Sequence, residues 1–247
     1  MTERLQELTQ ILEIVRQDPK NAPSETRKKF WKLVRQIKRS PTPNQEEIVA
    51  AAEIRDILFE AKRGRTYSIA PVVALETVLG FLMFLAYLWL LSFMLDWSSI
   101  FVWTLLDWGN FALRFVCVMG CIAFFYPYGR IIGGRMMGIK LDGMCRDEQY
   151  EPTLKINYVS FLNAPASKRK WFFFIAGIWT IIIGVIVGVV GLFVAVDCTA
   201  FVPVLLLVLF EGYVVLKGSP KPTGGEMGHY NREKKIERVW KKRASQM

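Results

Sequence analysis

Four apolar blocks between Ile69 and Leu216 constrain this chain more than any other feature. They cover residues 69–95, 100–126, 171–196 and 199–216, and each is long enough to cross a hydrocarbon core of about 30 Å. A soluble domain of similar length spreads its apolar residues periodically, whereas here they are concentrated into continuous runs. The gap at Asp96–Ser99 (DWSS) and the gap around Asp197 read as tight turns, so the blocks pair into two helical hairpins. The expected fold is mainly α: a polytopic membrane protein with four transmembrane helices in two hairpins.

Charge predicts the orientation. Residues 1–68 hold 14 Lys and Arg, residues 127–170 hold 8, and residues from 217 onward hold 9, out of 32 in the chain. The two short turns hold none. By the positive-inside rule both termini and the central loop are cytoplasmic, which requires an even number of spans. The resulting divisions are a cytoplasmic helical extension (1–67), a membrane domain (68–216) with a cytoplasmic loop (127–170), and a basic cytoplasmic tail (217–247). The N-terminus is charged and amphipathic and lacks the pattern of a cleaved secretory signal. The formal net charge of +10 needs no nucleic-acid partner, because the topology accounts for it. Anionic lipid headgroups are the expected partner of these cations.

Within the extension, Leu5, Leu8, Ile11, Leu12 and Val15 recur at helical spacing and predict a helix over 3–17. Ser24 is placed to cap a second helix in which Phe30, Trp31, Val34 and Ile37 share a face among lysines and arginines. That helix either lies on anionic lipid or packs on its neighbours with a solvated basic side. Asn44 and Glu47 form a capping-box start to a third helix ending near Lys62, striped by Ile48, Ala51, Ile54, Leu58 and Ala61. Arg63 and Arg65 flank the membrane entry. In the central loop the segments IKLD and TLKINYV alternate as short strands, with a turn at Asp142-Gly143 and a break at Glu151-Pro152. Such an element offers a strand edge to a peptide client. The tail reads as a Pro/Gly linker followed by a solvated basic helix, in which Glu226 and His229 do not make a metal site.

Several polar groups fall inside the spans. Arg114 sits near the middle of the second, where a charge costs about 3 kcal/mol and calls for a partner. Asp107, seven residues earlier on the same face, is the expected one. Glu76 and Glu211 lie toward the cytoplasmic ends, placed to cap a helix or meet loop arginines. These groups read either as internal ion pairs or as part of a polar path. Cys117 and Cys121, at i and i+4, read as small buried residues rather than a metal pair. Gly184 and Gly188 form a small-xxx-small pattern, read first as helix packing and second as oligomerisation.

The stretch Phe124–Asp142 (FFYPYGRIIGGRMMGIKLD) carries a resemblance. The pair Gly138-Ile139, the small-basic pair Gly134-Arg135 before it, the β-rich segment after it and Ala176-Gly177 in the next helix resemble the core of the site-2 protease family of intramembrane zinc metalloproteases. The resemblance spans about residues 100–195. In that family a His-Glu-x-x-His motif binds zinc, and here Tyr126, Pro127 and Arg130 stand where the two histidines and the glutamate would be. Tyrosine is a poor zinc ligand, arginine is none, and proline is no base. The resemblance therefore implies a non-catalytic relative without metal or other cofactor. The segment GGRMMGIKLDG also looks like the basic loop of small multi-span families with an RDD-type motif, whose Arg-Asp signature the first span lacks. Two function classes follow: a non-catalytic membrane binding or scaffold protein that engages a membrane-protein or peptide client, and a transporter or enzyme using Glu76, Asp107 and Arg114.

Overall fold

A computed structural model of the chain describes residues 2–40, 42–63, 66–146, 152–218 and 225–244. Arg65, Glu151 and the Pro/Gly linker at 219–224 lie outside the described residues, as does the Arg63 side chain. Nine α-helices and one two-stranded sheet are described: α1 (Glu3–Gln17), α2 (Ser24–Arg39), α3 (Gln45–Arg63), α4 (Ile69–Leu90), α5 (Leu105–Met137), β1 (Leu141–Arg146), β2 (Pro152–Ile156), α6 (Tyr158–Asn163), α7 (Ala166–Ala195), α8 (Phe201–Lys217) and α9 (Gly225–Ala244). A 3-10 helix, Trp97–Val102, lies between α4 and α5. The chain divides into two compact units, one of Met1–Ile69, Gly133–Phe172 and Tyr230–Met247, the other of Ala70–Ile132 and Phe173–His229.

The first unit has an apolar core of its own. α1 packs on α3 and on α2, and buries Leu8, Ile11, Leu12 and Val15. α2 buries Phe30, Leu33, Val34 and Ile37, while Trp31 is turned outward and stays 46% exposed. Leu33 therefore takes the place on the buried face expected for Trp31. Three local expectations also change. Pro23, not Ser24, is the N-cap of α2, with no side-chain cap bond. Asn44 does cap α3 by accepting the Glu46 amide at 2.9 Å, but Glu47 turns away from the cap. Its buried carboxylate accepts the Thr2 hydroxyl at 2.7 Å and faces Arg4 at 3.4 Å, so it ties α3 to the start of α1. Asp142 and Gly143 lie within β1, where a register shift forms a bulge, rather than in a turn. β1 pairs antiparallel with β2 and bridges to Tyr67 on its other side. α3 holds β2 through Arg55, which donates to the Ile156 carbonyl, and through Glu60 and Asp56, which face buried Lys155.

The second unit has an apolar exterior. Tyr87, Leu90, Cys117, Val118, Cys121, Ile122 and Val187 form its core. Phe81, Leu85, Val116, Ile186, Leu205 and Leu209 remain exposed. Apolar residues facing outward on every helix suit a hydrocarbon solvent rather than water. Three helices, α4, α5 and α7, are long and apolar enough to cross a membrane. Their bounds differ from the apolar blocks. α4 stops at Leu90, and the connection to α5 is no tight turn. Asp96 accepts bonds from the Ser98 amide and from the Ser98 and Ser99 hydroxyls, which starts the 3-10 helix. Trp97, Trp103, Trp108 and Phe111 stack edge to face around it. α5 begins at Leu105 and runs through Pro127 to Met137, although Pro127 supplies no amide hydrogen. Two residues before it, the Trp179 indole donates to the Phe125 carbonyl at 2.9 Å and ties α7 to this part of α5. The non-helical part of the central loop is correspondingly shorter than residues 127–170.

Candidate functional site

Arg114 and its surroundings form the most completely bonded polar site in the second unit. Its partner is Asp197 and not Asp107. Arg114 Nη1 donates to Asp197 Oδ1 at 2.6 Å, Nε donates to Asn110, and Nη2 donates to the carbonyls of Leu90 and Phe93. Those carbonyls belong to the last residue of α4 and the segment after it, and the Leu90 carbonyl also accepts the Phe93 amide at 3.1 Å. Asp197 also accepts the Tyr87 hydroxyl at 2.8 Å, the Thr199 hydroxyl at 2.8 Å and the Trp97 indole at 3.4 Å. Arg114 and Asp197 are each only 1% exposed. Gly191 makes room for this cluster, since a Cβ there would lie 2.0 Å from the Tyr87 hydroxyl oxygen. The α7–α8 turn that presents Asp197 holds Val196 at φ 52°, a strained conformation for a β-branched residue. Asp107 is occupied elsewhere. It accepts the Thr104 amide at 2.8 Å while Thr104 Oγ1 accepts the Asp107 amide at 3.3 Å, a capping box at the start of α5.

Glu233 on α9 is the counterpart in the first unit. It is 2% exposed, and it accepts Lys38 Nζ at 2.6 Å and Arg169 Nε at 2.7 Å. Arg169 further donates to the Ala164 carbonyl at 2.8 Å and the Lys38 carbonyl at 3.2 Å, at the ends of α6 and α2. Burial by itself would raise the Glu233 carboxyl, but Lys38 and Arg169 outweigh it and hold it below the usual range. Burial pushes the Lys38 ammonium down, and the neighbouring Arg169 charge acts in the same direction, against the pull of Glu233. Lys170 pairs with Glu237 one turn further along α9. The basic tail is therefore not merely solvated: Glu233 and Glu237 hold its last part within the first unit.

The motif residues carry ordinary structural duties. Tyr126 and Arg130, one turn apart on α5, both donate to Glu226 Oε1, with Arg130 Nη2 at 2.6 Å. Gly138 has φ 72°, and the Ile139 amide donates to the Gly134 carbonyl at 2.9 Å, which closes α5 with a left-handed C-cap. A Cβ at Gly134 would lie 2.7 Å from the Ile139 carbonyl oxygen. Arg135 is exposed in the last turn, where a cation suits the helix dipole. Gly184 and Gly188 let α7 approach α8: a Cβ would meet Val204 at 2.5 Å and Phe201 at 3.0 Å. Cys121 donates to the Gly80 carbonyl within the core. Glu76 and Glu211 each keep one buried oxygen without a hydrogen-bond partner among the described residues, and so does Glu226. No group of three His, Cys, Asp or Glu among the described residues is placed to hold a metal.

The residues that sequence reasoning missed are Asp197, Glu226, Glu233 and the pairing roles of Lys38 and Arg169. One signal was available for Asp197, which is the sole carboxylate between Trp171 and Phe210. No family model matches the chain, and neither does any curated protein or solved structure.

Proposed function

We propose that this chain is a multi-pass membrane protein that works as a non-catalytic binding or scaffold protein. It has four spans in two hairpins, with both termini and the central segment cytoplasmic. α8, at 17 residues, rises about 26 Å and serves as the fourth span. The distribution of Lys and Arg supports the sidedness. The observation that carries the non-catalytic reading is the engagement of Tyr126 and Arg130 by Glu226. At the positions where a site-2-protease-like frame would hold zinc and its general base, this chain ties α5 to the start of α9. The working part is then the water-soluble first unit, which the spans hold at the membrane for a lipid, a peptide or a membrane-protein client.

The test is zinc analysis of the purified full-length protein together with side-specific labelling of cysteines introduced at Trp31 and Lys241. The reading expects substoichiometric zinc and labelling of both positions from the same, cytoplasmic face. One equivalent of zinc contradicts the non-catalytic frame, and labelling from opposite faces contradicts the even span count.

A second reading, transport, draws on the unpartnered buried oxygens of Glu76 and Glu211. Carboxylates left open inside a membrane domain suit a proton or cation path. It requires flux that is lost in Glu76→Gln or Glu211→Gln protein that still folds.

A further inference from the structure

α2 holds seven Lys and Arg between Ser24 and Arg39 and one acid, Glu25. Most of these cations are already committed. Lys38 serves Glu233, Lys29 pairs with Glu7 at 2.9 Å, Lys28 pairs with Glu25 at 3.2 Å, and Arg27 donates to the Lys20 carbonyl. Lys32 and Arg39 are different. Both are exposed, and neither has a hydrogen bond or ion pair among the described residues. They line one cleft of about 650 Å³ between α1 and α2, together with Gln36 and Ser40. Positions 32, 36, 39 and 40 fall on one face of the helix. Glu3 and Glu7 also line the cleft, but Lys29 neutralises Glu7. Trp31 sits beside this face and is 46% exposed although the rest of the apolar stripe is buried.

We propose that this cleft and the outer face of α2 bind the phosphate headgroups of anionic phospholipid at the membrane surface. Two uncommitted cations, an amide and a hydroxyl around an open cleft match the donors a phosphate ester needs. Trp31 makes a lipid surface the better match than a soluble phosphate. An outward indole beside cations is the composition of an interfacial helix and has no use in a site for a free anion. The inference rests on the membrane reading above and adds a site and a ligand class to it.

The experiment is hydrogen–deuterium exchange on the full-length protein in nanodiscs of phosphatidylcholine alone and of phosphatidylcholine mixed with phosphatidylserine. The amides of residues 24–40 should exchange several-fold more slowly in the anionic discs, and high salt should remove the difference. The exposed-site variant Lys32→Glu/Arg39→Glu should lose the difference while the exchange of α1 and α3 stays unchanged, which shows that the unit still folds. Equal exchange in the two discs overturns the proposal and leaves the face to an acidic protein segment. Protection by glycerophosphoserine added to neutral discs also overturns it, in favour of a soluble ligand. Zinc content and labelling side do not depend on these substitutions, so a failure here is distinguishable from a failure of the proposed function.

Discussion

Arg114 in the second unit and Arg169 in the first divide their guanidinium groups in the same way, between one buried carboxylate and the carbonyls at the ends of other helices. The charge around them differs. Asp197 meets one cation and three neutral donors, so that site is balanced. Glu233 meets two cations, so its site carries a surplus positive charge. Arg114 and Asp197 are each 1% exposed, so water cannot reach a surplus charge there to screen it. The Glu233 site tolerates one, since Lys38 keeps 18% of its side chain exposed. An arginine fork can thus staple several segments at once, and the access of water decides how closely the charges must balance.

The largest effect should follow from unbalancing the Asp197 site. Asp197→Leu leaves Arg114 buried without a carboxylate and should cost about 3–5 kcal/mol, read as collapse of membrane accumulation and a lower melting temperature in detergent. Glu233→Gln should come next, at about 3 kcal/mol, read by thermal unfolding and by faster exchange in α2 and α9. Because pairing depresses the Glu233 carboxyl, its contribution is fully present above an unfolded-state value of about pH 4.3 and is lost as pH falls through the lower folded value. Melting curves from pH 6 downward, with about pH 4 as the onset, should show that acid loss in the parent and not in Glu233→Gln. Lys38→Met removes only the surplus cation and should stay within about 1 kcal/mol of the parent. A loss as large as that of Glu233→Gln would break the contrast between balanced and surplus sites. The smallest effect belongs to Asp107→Ala, which frays the start of α5 and leaves the Arg114 surroundings intact. A loss matching that of Asp197→Leu would restore Asp107 as the partner of Arg114.

The legible part of this fold was the part written in local pattern. The helical stripe of α1, the amphipathic α2 and the long apolar runs of α4, α5 and α7 all appear in the sequence, because periodicity and burial are properties of a few neighbouring residues. Pairing across the chain is not local. Arg114 stands out as a charge in an apolar run, but Asp197 lies 83 positions away, and the nearer Asp107 looked adequate until its cap role appeared. Arg169 read only as a topogenic cation, since nothing near it foretells Glu233. Gly138 carries a local demand of its own: at φ 72° it forms the left-handed cap of α5, which by itself favours glycine there. The apolar block ends at Tyr126, yet the helix does not stop at Pro127. Inside the second unit α5 simply continues.

Arg114 and Asp197, buried and bonded on every side, have the arrangement of a structural staple. A double-mutant cycle on melting temperature in detergent tests it most directly, comparing the parent, Arg114→Met, Asp197→Leu and the double variant. Each single variant should be strongly destabilised, and the double variant should be more stable than either. Single variants that melt with the parent would contradict it.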